Sequence, residues 1–261
     1  IRSKAEDPAV ICVDERGRFS ISLLSGHIGG GNRLANAIAA GIGATPVITT
    51  ATDVNGRFAV DAWAAEQGFV LGSMAAAKDI AATILERDVP ICADGPMRGT
   101  LPAGLYSGAE GDVGISVSMR TKKPFSETLS VIPRALTLGL GCRRGRAKEA
   151  IEQTVFEVFK ENGLDLRAVR EAASIDLKAD EPGLLAFCEQ LGISVLFYAA
   201  ETLAAVRGSF TPSAFVQEVT GVDNVCERSA AAGGGKLIVK KTARRGVTVA
   251  VAETAWEVNF E

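Results

Sequence analysis

The only histidine of the 261-residue sequence, His27, is followed by three consecutive glycines in SGHIGGGN (25–32). An imidazole titrates near neutrality and serves as a general acid or base. Amide N–H groups of a glycine-rich loop that opens a helix favour anions. Ser25, Gly26, Gly29, Gly30, Gly31 and Asn32 are therefore candidates to hold an anionic ligand, with His27 as the candidate catalytic group. The stretch is not a P-loop, since no Lys-Ser or Lys-Thr follows, and it does not make the dinucleotide fingerprint. A strand-to-helix turn carrying a surface histidine accounts for the spacing equally well.

A second cluster is GLGCRRGR (139–146), with Arg143, Arg144 and Arg146 where a helix begins. Cations there oppose the helix dipole. An anionic ligand would relieve that conflict, and guanidinium groups suit carboxylates. A solvated basic loop is the alternative. Cys142 lies in the same loop, but there is no second histidine to activate it as a nucleophile. In SIDLKADE (174–181), Lys178 follows a strand, where ligands of α/β proteins sit; capping by Asp180 and plain surface charge explain the stretch too. Glu227 in VCERSA (225–230) and Thr50 and Asp53 in TTATD (49–53) are weaker candidates for polar contacts. Helix capping and an Asx-type turn are their alternatives.

These loops need elements to hold them. AVICVD (9–14) and RFSISLL (18–24) read as a hairpin. The spacing predicts a helix over 33–44 with Asn32 as N-cap, then a short strand (46–51), a turn (52–58) and helices near 57–67 and 73–87. From 90 to 134, proline and glycine weaken the pattern, so an irregular connecting region with short strands is expected, GISVSM (114–119) being the clearest of them. Strand 135–141 and an amphipathic helix (146–163) follow, then helices at 165–173 and 181–191 and strand 193–198. Helices at 199–206, 213–220 and 225–233 precede two closing strands, 236–241 and 246–253. The expected fold is α/β: two three-layer-like units with mixed or largely parallel sheets, at 1–89 and 135–261, joined by the Pro/Gly-rich stretch.

Composition narrows the classes. With 28 Lys and Arg against 31 Asp and Glu, the net charge of −3 argues against a general nucleic-acid binder, yet permits a local basic site for a small anion. Five widely spaced cysteines without a CxxC point to neither a disulfide framework nor a zinc site, but to a reducing, cytoplasmic setting. No apolar run is long enough to cross a bilayer.

DPAVICVDERGRFSISLLSGHIGGGNRLANAIA with PVITTATDVNGRFAVDAWA resembles the cobalt-precorrin-5A hydrolase family (CbiG) of anaerobic cobalamin biosynthesis. LGLGCRRG, SIDLKADEPGLL, VCERSA and LIVKK…GVTVAVAE are similar to its C-terminal domain, which resembles CobE of the aerobic pathway. The resemblance implies a cobalt-containing tetrapyrrole substrate rich in carboxylates, and opening of its ring A δ-lactone with loss of acetaldehyde to give cobalt-precorrin-5B. It implies no separate cofactor or protein-bound metal, because the cobalt belongs to the substrate. No nucleic-acid or membrane partner follows from it, and a homodimer is compatible with it. A carrier that holds the corrinoid without catalysis is the alternative. Family members carry a further N-terminal segment, so the first sheet is expected to lack its opening part. On this resemblance His27 is expected to act on the lactone, the glycine amides to hold an oxyanion or carboxylate, and Arg143 and Arg144 to clamp carboxylates, in a cleft between the halves.

Overall fold

The computed structural model describes residues 8–26, 29–49 and 51–261, and of Asp53 only the backbone. The chain divides into two compact units. One gathers the residues up to Ser118 with Lys123–Val131 and Glu257–Glu261; the other comprises Met119–Lys122 and Ile132–Trp256.

In the first unit, β1 (Val10–Val13) and β2 (Phe19–Leu24) form the expected antiparallel hairpin. Asp14 closes it, its carboxylate accepting the amide of Phe19 at 2.6 Å. Helix α1 (Gly31–Ile42) buries Ala35 and Ala39 and ends at Gly43 in the left-handed region. Strand β3 (Thr45–Val47) then pairs parallel to β2. Two details differ from the sequence reading. Asn32 is not the N-cap but lies in the first turn, because Gly30 takes the cap with φ 72°. Residues expected in a strand end and a turn instead form a short helix, α2 (Ala51–Val54).

Helices α3 (Val60–Glu66) and α4 (Met74–Glu86) are where periodicity puts them, on either side of β4 (Val70–Leu71). The stretch 90–134, expected to be an irregular connector with short strands, does hold short strands, but most of them join into one five-stranded sheet. It holds β5 (Val89–Ala93), β6 (Met97–Arg98), β7 (Leu105–Ser107), β8 (Val113–Val117) and β9 (Glu127–Ile132). The sheet order is β4-β9-β8-β5-β7, with β5 parallel to β7 and β8, and β8 parallel to β9. Pro90 and Gly114 sit inside β5 and β8, while Pro96, Pro102, Gly104, Gly108, Gly111 and Pro124 lie between strands. Strands this short, with Ile91, Ile115, Val117, Leu129 and Val131 fully buried, leave little periodic signal.

The second unit is a mixed sheet of order β12-β11-β10-β14-β13. Its elements are β10 (Leu136–Cys142), α5 (Lys148–Glu161), β11 (Val169–Ile175), α6 (Pro182–Leu191) and β12 (Ser194–Tyr198). Then come α7 (Ala200–Ala205), α8 (Ala214–Thr220), α9 (Cys226–Ala231), β13 (Lys236–Arg244) and β14 (Val247–Glu253). Strands β10, β11 and β12 are parallel, and β14 runs antiparallel to both its neighbours. The helix expected at 165–173 is a single 3-10 turn followed by β11. VREAAS is rich in helix formers, but Ala172 and Ala173 are fully buried in the middle of the sheet, where tertiary pairing overrides propensity. Small residues are needed there. Helix α9 lies against β10 and β11, and a side chain at Gly139 would overlap the Cys226 carbonyl.

The chain end returns to the first unit rather than finishing in the second. Strand β15 (Val258–Asn259) pairs with β6. The Trp63 indole donates to the Asn259 carbonyl at 2.8 Å and stacks on Phe260 at 5.4 Å.

Candidate ligand-binding site

Two regions contain the residues singled out by sequence. The first is the glycine loop. Its three glycines have separate structural reasons. Gly30 has a positive φ; a Cβ at Gly29 would collide with Ser25; a Cβ at Gly31 would sit 2.8 Å from the Leu24 carbonyl. Ser25 itself is left-handed at φ 54°. The turn is closed by Gly31 N–H donating to Ser25 O at 3.0 Å and Asn32 N–H to Gly26 O at 2.9 Å. The Gly31 amide, expected to face a ligand, is therefore committed to the turn. His27 and Thr50 lie outside the described residues, as does the side chain of Asp53.

The second region is a hollow of about 770 Å³ lying wholly within the second unit. It opens where β10 and β11 end and where β13 turns into β14, the position at which α/β sheets take ligands. Its volume is in the range of small-molecule sites. One wall is apolar: Ile175, Val216 and Val225, with Phe215 and Val219 of α8 at 72% and 59% exposure. The turn Arg244-Arg245-Gly246, with Arg245 and Gly246 both at positive φ, brings further cations to the rim.

Six cations line the hollow: Arg143, Arg144, Lys178, Lys241, Arg244 and Arg245. Four are engaged by carboxylates. Arg144 Nη1 donates to both oxygens of Asp180 at 3.1 and 3.0 Å, and Nη2 to the Leu177 carbonyl. Lys178 pairs with Glu181 at 3.1 Å. Arg244 reaches Glu161 and Glu157, and Arg245 reaches Glu157 at 2.8 Å. The Arg144 hydrogen bond holds the Asp180 carboxyl below its ordinary range, and those from Arg245 and Arg244 do the same for Glu157 and Glu161. Among the described residues, the side chains of Arg143 and Lys241 have no hydrogen-bond or ion-pair partner.

Cys142 and Cys226 also line the hollow. Burial pushes the Cys142 thiol up, and that of Cys226 to about 11, so both are protonated at neutral pH. Thiolate chemistry at either site is correspondingly disfavoured.

Of the residues picked from sequence, Cys142, Arg143, Arg144 and Lys178 converge on this hollow; Glu227 does not. Glu227 is fully buried, and its carboxylate accepts from the Thr211 amide (2.6 Å), the Thr211 hydroxyl (2.9 Å) and the Lys241 amide (2.6 Å). Sequence reasoning missed Lys241, Arg244, Arg245 and Phe215. Nothing in KLIVKK singles out Lys241, because Leu237, Ile238 and Val239 run without alternation and give no register for the lysines that follow. Among the described residues, no cluster of His, Cys, Asp and Glu is placed to hold a metal ion, and no helix is long and apolar enough to cross a membrane.

An apolar wall facing a basic rim, set at the ends of parallel strands, is the arrangement in an α/β protein that suits a small ligand both apolar and anionic. The family model described as "Cobalamin synthesis G C-terminus" matches residues 136–252, and "Cobalamin synthesis G N-terminal" matches residues 1–53. The chain is 30% identical to the cobalt-precorrin-5A hydrolase of Priestia megaterium over 97% of its own length and 73% of that protein's. It is 31% identical to the Salmonella typhimurium enzyme of the same name, over 95% and 75%. A crystal structure of CobE, from the cobalamin biosynthetic pathway, aligns with TM-score 0.44 and 33% identity over 48% of this chain and 93% of that one. The chain belongs to the cobalt-precorrin-5A hydrolase (CbiG) family.

Proposed function

We propose that the protein hydrolyses cobalt-precorrin-5A in cobalamin biosynthesis. It would open the ring A δ-lactone and release acetaldehyde to give cobalt-precorrin-5B. The observation that supports this reading beyond family membership is the hollow of the second unit, which pairs an apolar wall with a cationic rim. A tetrapyrrole offers the complement: a broad apolar face edged with carboxylates. The cobalt enters with the substrate.

In the first step water adds to the lactone carbonyl and the acyl C–O bond breaks, leaving a carboxylic acid and a free alcohol. In the second, the alcohol loses its O–H proton and becomes the aldehyde carbonyl. The adjacent C–C bond breaks, and its electron pair stays on the macrocycle carbon, which takes up a proton. Both steps need one group that accepts and returns a proton, and His27 is the residue we assign to this. The amides of Gly29 and Gly30 make no backbone hydrogen bond among the described residues and are the oxyanion donors we assign. Arg143 holds a peripheral carboxylate.

The test is to incubate the protein with the cobalt-precorrin-5A lactone and measure acetaldehyde and product mass. Stoichiometric acetaldehyde with the mass of the opened product is the expected result. Tight binding without acetaldehyde would make the protein a carrier of the same corrinoid and overturn the hydrolase reading.

A further inference from the structure

Strand β13 is not regular where it borders the hollow. Val239 pairs with Val251 and Thr242 with Val249, so Lys240 and Lys241 share the place opposite Ala250. This is a β-bulge, a device that re-aims a side chain out of the strand's alternation. It turns Lys240 to solvent and leaves Lys241 half-buried and lining the hollow.

The bulge is held from beneath. Glu227, with no exposed surface, accepts the Lys241 amide at 2.6 Å. The same carboxylate accepts from the amide and hydroxyl of Thr211, and the Asn224 side-chain amide donates to the Thr211 carbonyl at 2.8 Å. Thr211 lies two residues before Ser213, which lines the hollow and leads into α8 with its Phe215. One buried carboxylate thus fixes both the cationic wall and the approach to the apolar wall. A carboxylate this deeply buried is costly unless it is fully bonded, and here all its bonds go to the two segments that frame the site. The ammonium it positions has no protein partner among the described residues, although it is partly withdrawn from water.

We propose that the Lys241 ammonium is the central anion-binding group of the hollow, pairing with a peripheral carboxylate of the tetrapyrrole, and that Glu227 is its positioning residue. The identity of the ligand rests on the functional reading above; the role of Lys241 toward a carboxylated corrinoid does not require catalysis.

The test uses the full chain and two probes, cobyrinic acid with its carboxylates free and the same corrinoid fully methyl-esterified, with affinity read by spectroscopic titration. Lys241→Gln should weaken the free acid about tenfold or more and leave the ester unchanged. Lys241→Arg should restore most of the loss, and added salt should weaken the parent protein more than Lys241→Gln. Glu227→Gln should weaken the free acid in the same direction. Combined with Lys241→Gln it should add little, because both act through one contact. Equal affinity of parent and Lys241→Gln for the free acid, equal loss for acid and ester, or no binding of the free acid by the parent would each overturn the proposal. Lys241-dependent binding without acetaldehyde release would sink the hydrolase reading alone.

Discussion

Arg144 Nη1 sits between the two carboxylate oxygens of Asp180, 3.1 and 3.0 Å away, while the neighbouring Arg143 has no such partner among the described residues. The family resemblance leads to the expectation that the two arginines clamp carboxylates together. The structure makes them unequal: one fixes the β10 loop to the turn after β11, and the other is available to a ligand. Arg143→Ala should therefore weaken binding of a carboxylated corrinoid about tenfold. Arg144→Ala should cost affinity less than that and act on loop order instead. Titration of both variants with the same ligand checks this, and an equal or reversed order of losses would contradict the assignment.

For His27 the expected outcome is kinetic. His27→Gln keeps a polar side chain of similar reach but cannot cycle a proton. Acetaldehyde release should fall about 10²–10⁴-fold with substrate affinity nearly preserved. Turnover within a few-fold of the parent would leave His27 as a turn residue only.

The glycines of α1 and its approach make a paired stability test. Gly31→Ala places a Cβ 2.8 Å from Leu24 O and 3.0 Å from both Ser22 Oγ and Ser25 O, all in the adjoining strand and turn. That crowding should cost about 1–3 kcal/mol. Gly41→Ala, in the same helix with nothing within 4 Å, should gain about 0.5–1 kcal/mol from lower unfolded-state entropy. Denaturant midpoints of the two variants should move in opposite directions.

The pattern of legibility follows from length and burial. Long amphipathic segments such as α4 and α5 show in the sequence because a 3.6-residue period repeats several times. Strands β5 to β9 do not, being short and carrying prolines and glycines both between them and, at Pro90 and Gly114, within them. β11 is misread because Ala172 and Ala173 suit a helix until the weight of α9 demands small residues in a sheet. At the site, residues on loops after strands stand out by type, hence Cys142, Arg143, Arg144 and Lys178. Lys241 and Phe215 are found only by folding, since nothing along the chain says that β13 and α8 meet around one hollow. Glu227 was noticed for its charge, but its partners, Thr211 and Lys241, are 16 and 14 residues away in sequence.

Cysteine accessibility offers a chemical reading of the second unit. Cys12 is exposed, whereas Cys188 and Cys226 are buried, with burial pushing their thiols up to about 12 and about 11. Alkylation of the native protein at mildly alkaline pH should modify Cys12 readily and spare Cys188 and Cys226 until denaturant is added. Cys142, half-buried in the hollow, should react slowly and be protected by bound corrinoid. Mass mapping of the labelled peptides decides this; labelling of Cys142 unaffected by ligand would place the corrinoid elsewhere.

Acid should reveal one further contact in the second unit. Burial alone would push the Asp165 carboxyl up, but it is outweighed by the Arg167 side chain, with Nε at 2.9 Å and Nη2 at 2.7 Å, by the Arg167 amide at 3.0 Å and by the guanidinium charge. The net effect holds Asp165 below the ordinary carboxylate range. A carboxyl depressed in the folded state adds stability above its unfolded pKa, near 3.9, and loses that contribution as pH falls through the folded value. Arg167→Met removes the side-chain partner. At pH 7 the variant should lose about 1 kcal/mol, less than a buried charged hydrogen bond contributes, because solvent screens the half-exposed Arg167. Below both pKa values the carboxyl is protonated in parent and variant alike, so the gap should close. Urea midpoints at pH 7 and at successively lower pH measure it, and a gap that does not shrink as pH falls would show that Arg167 stabilises by packing its stem rather than by its charge.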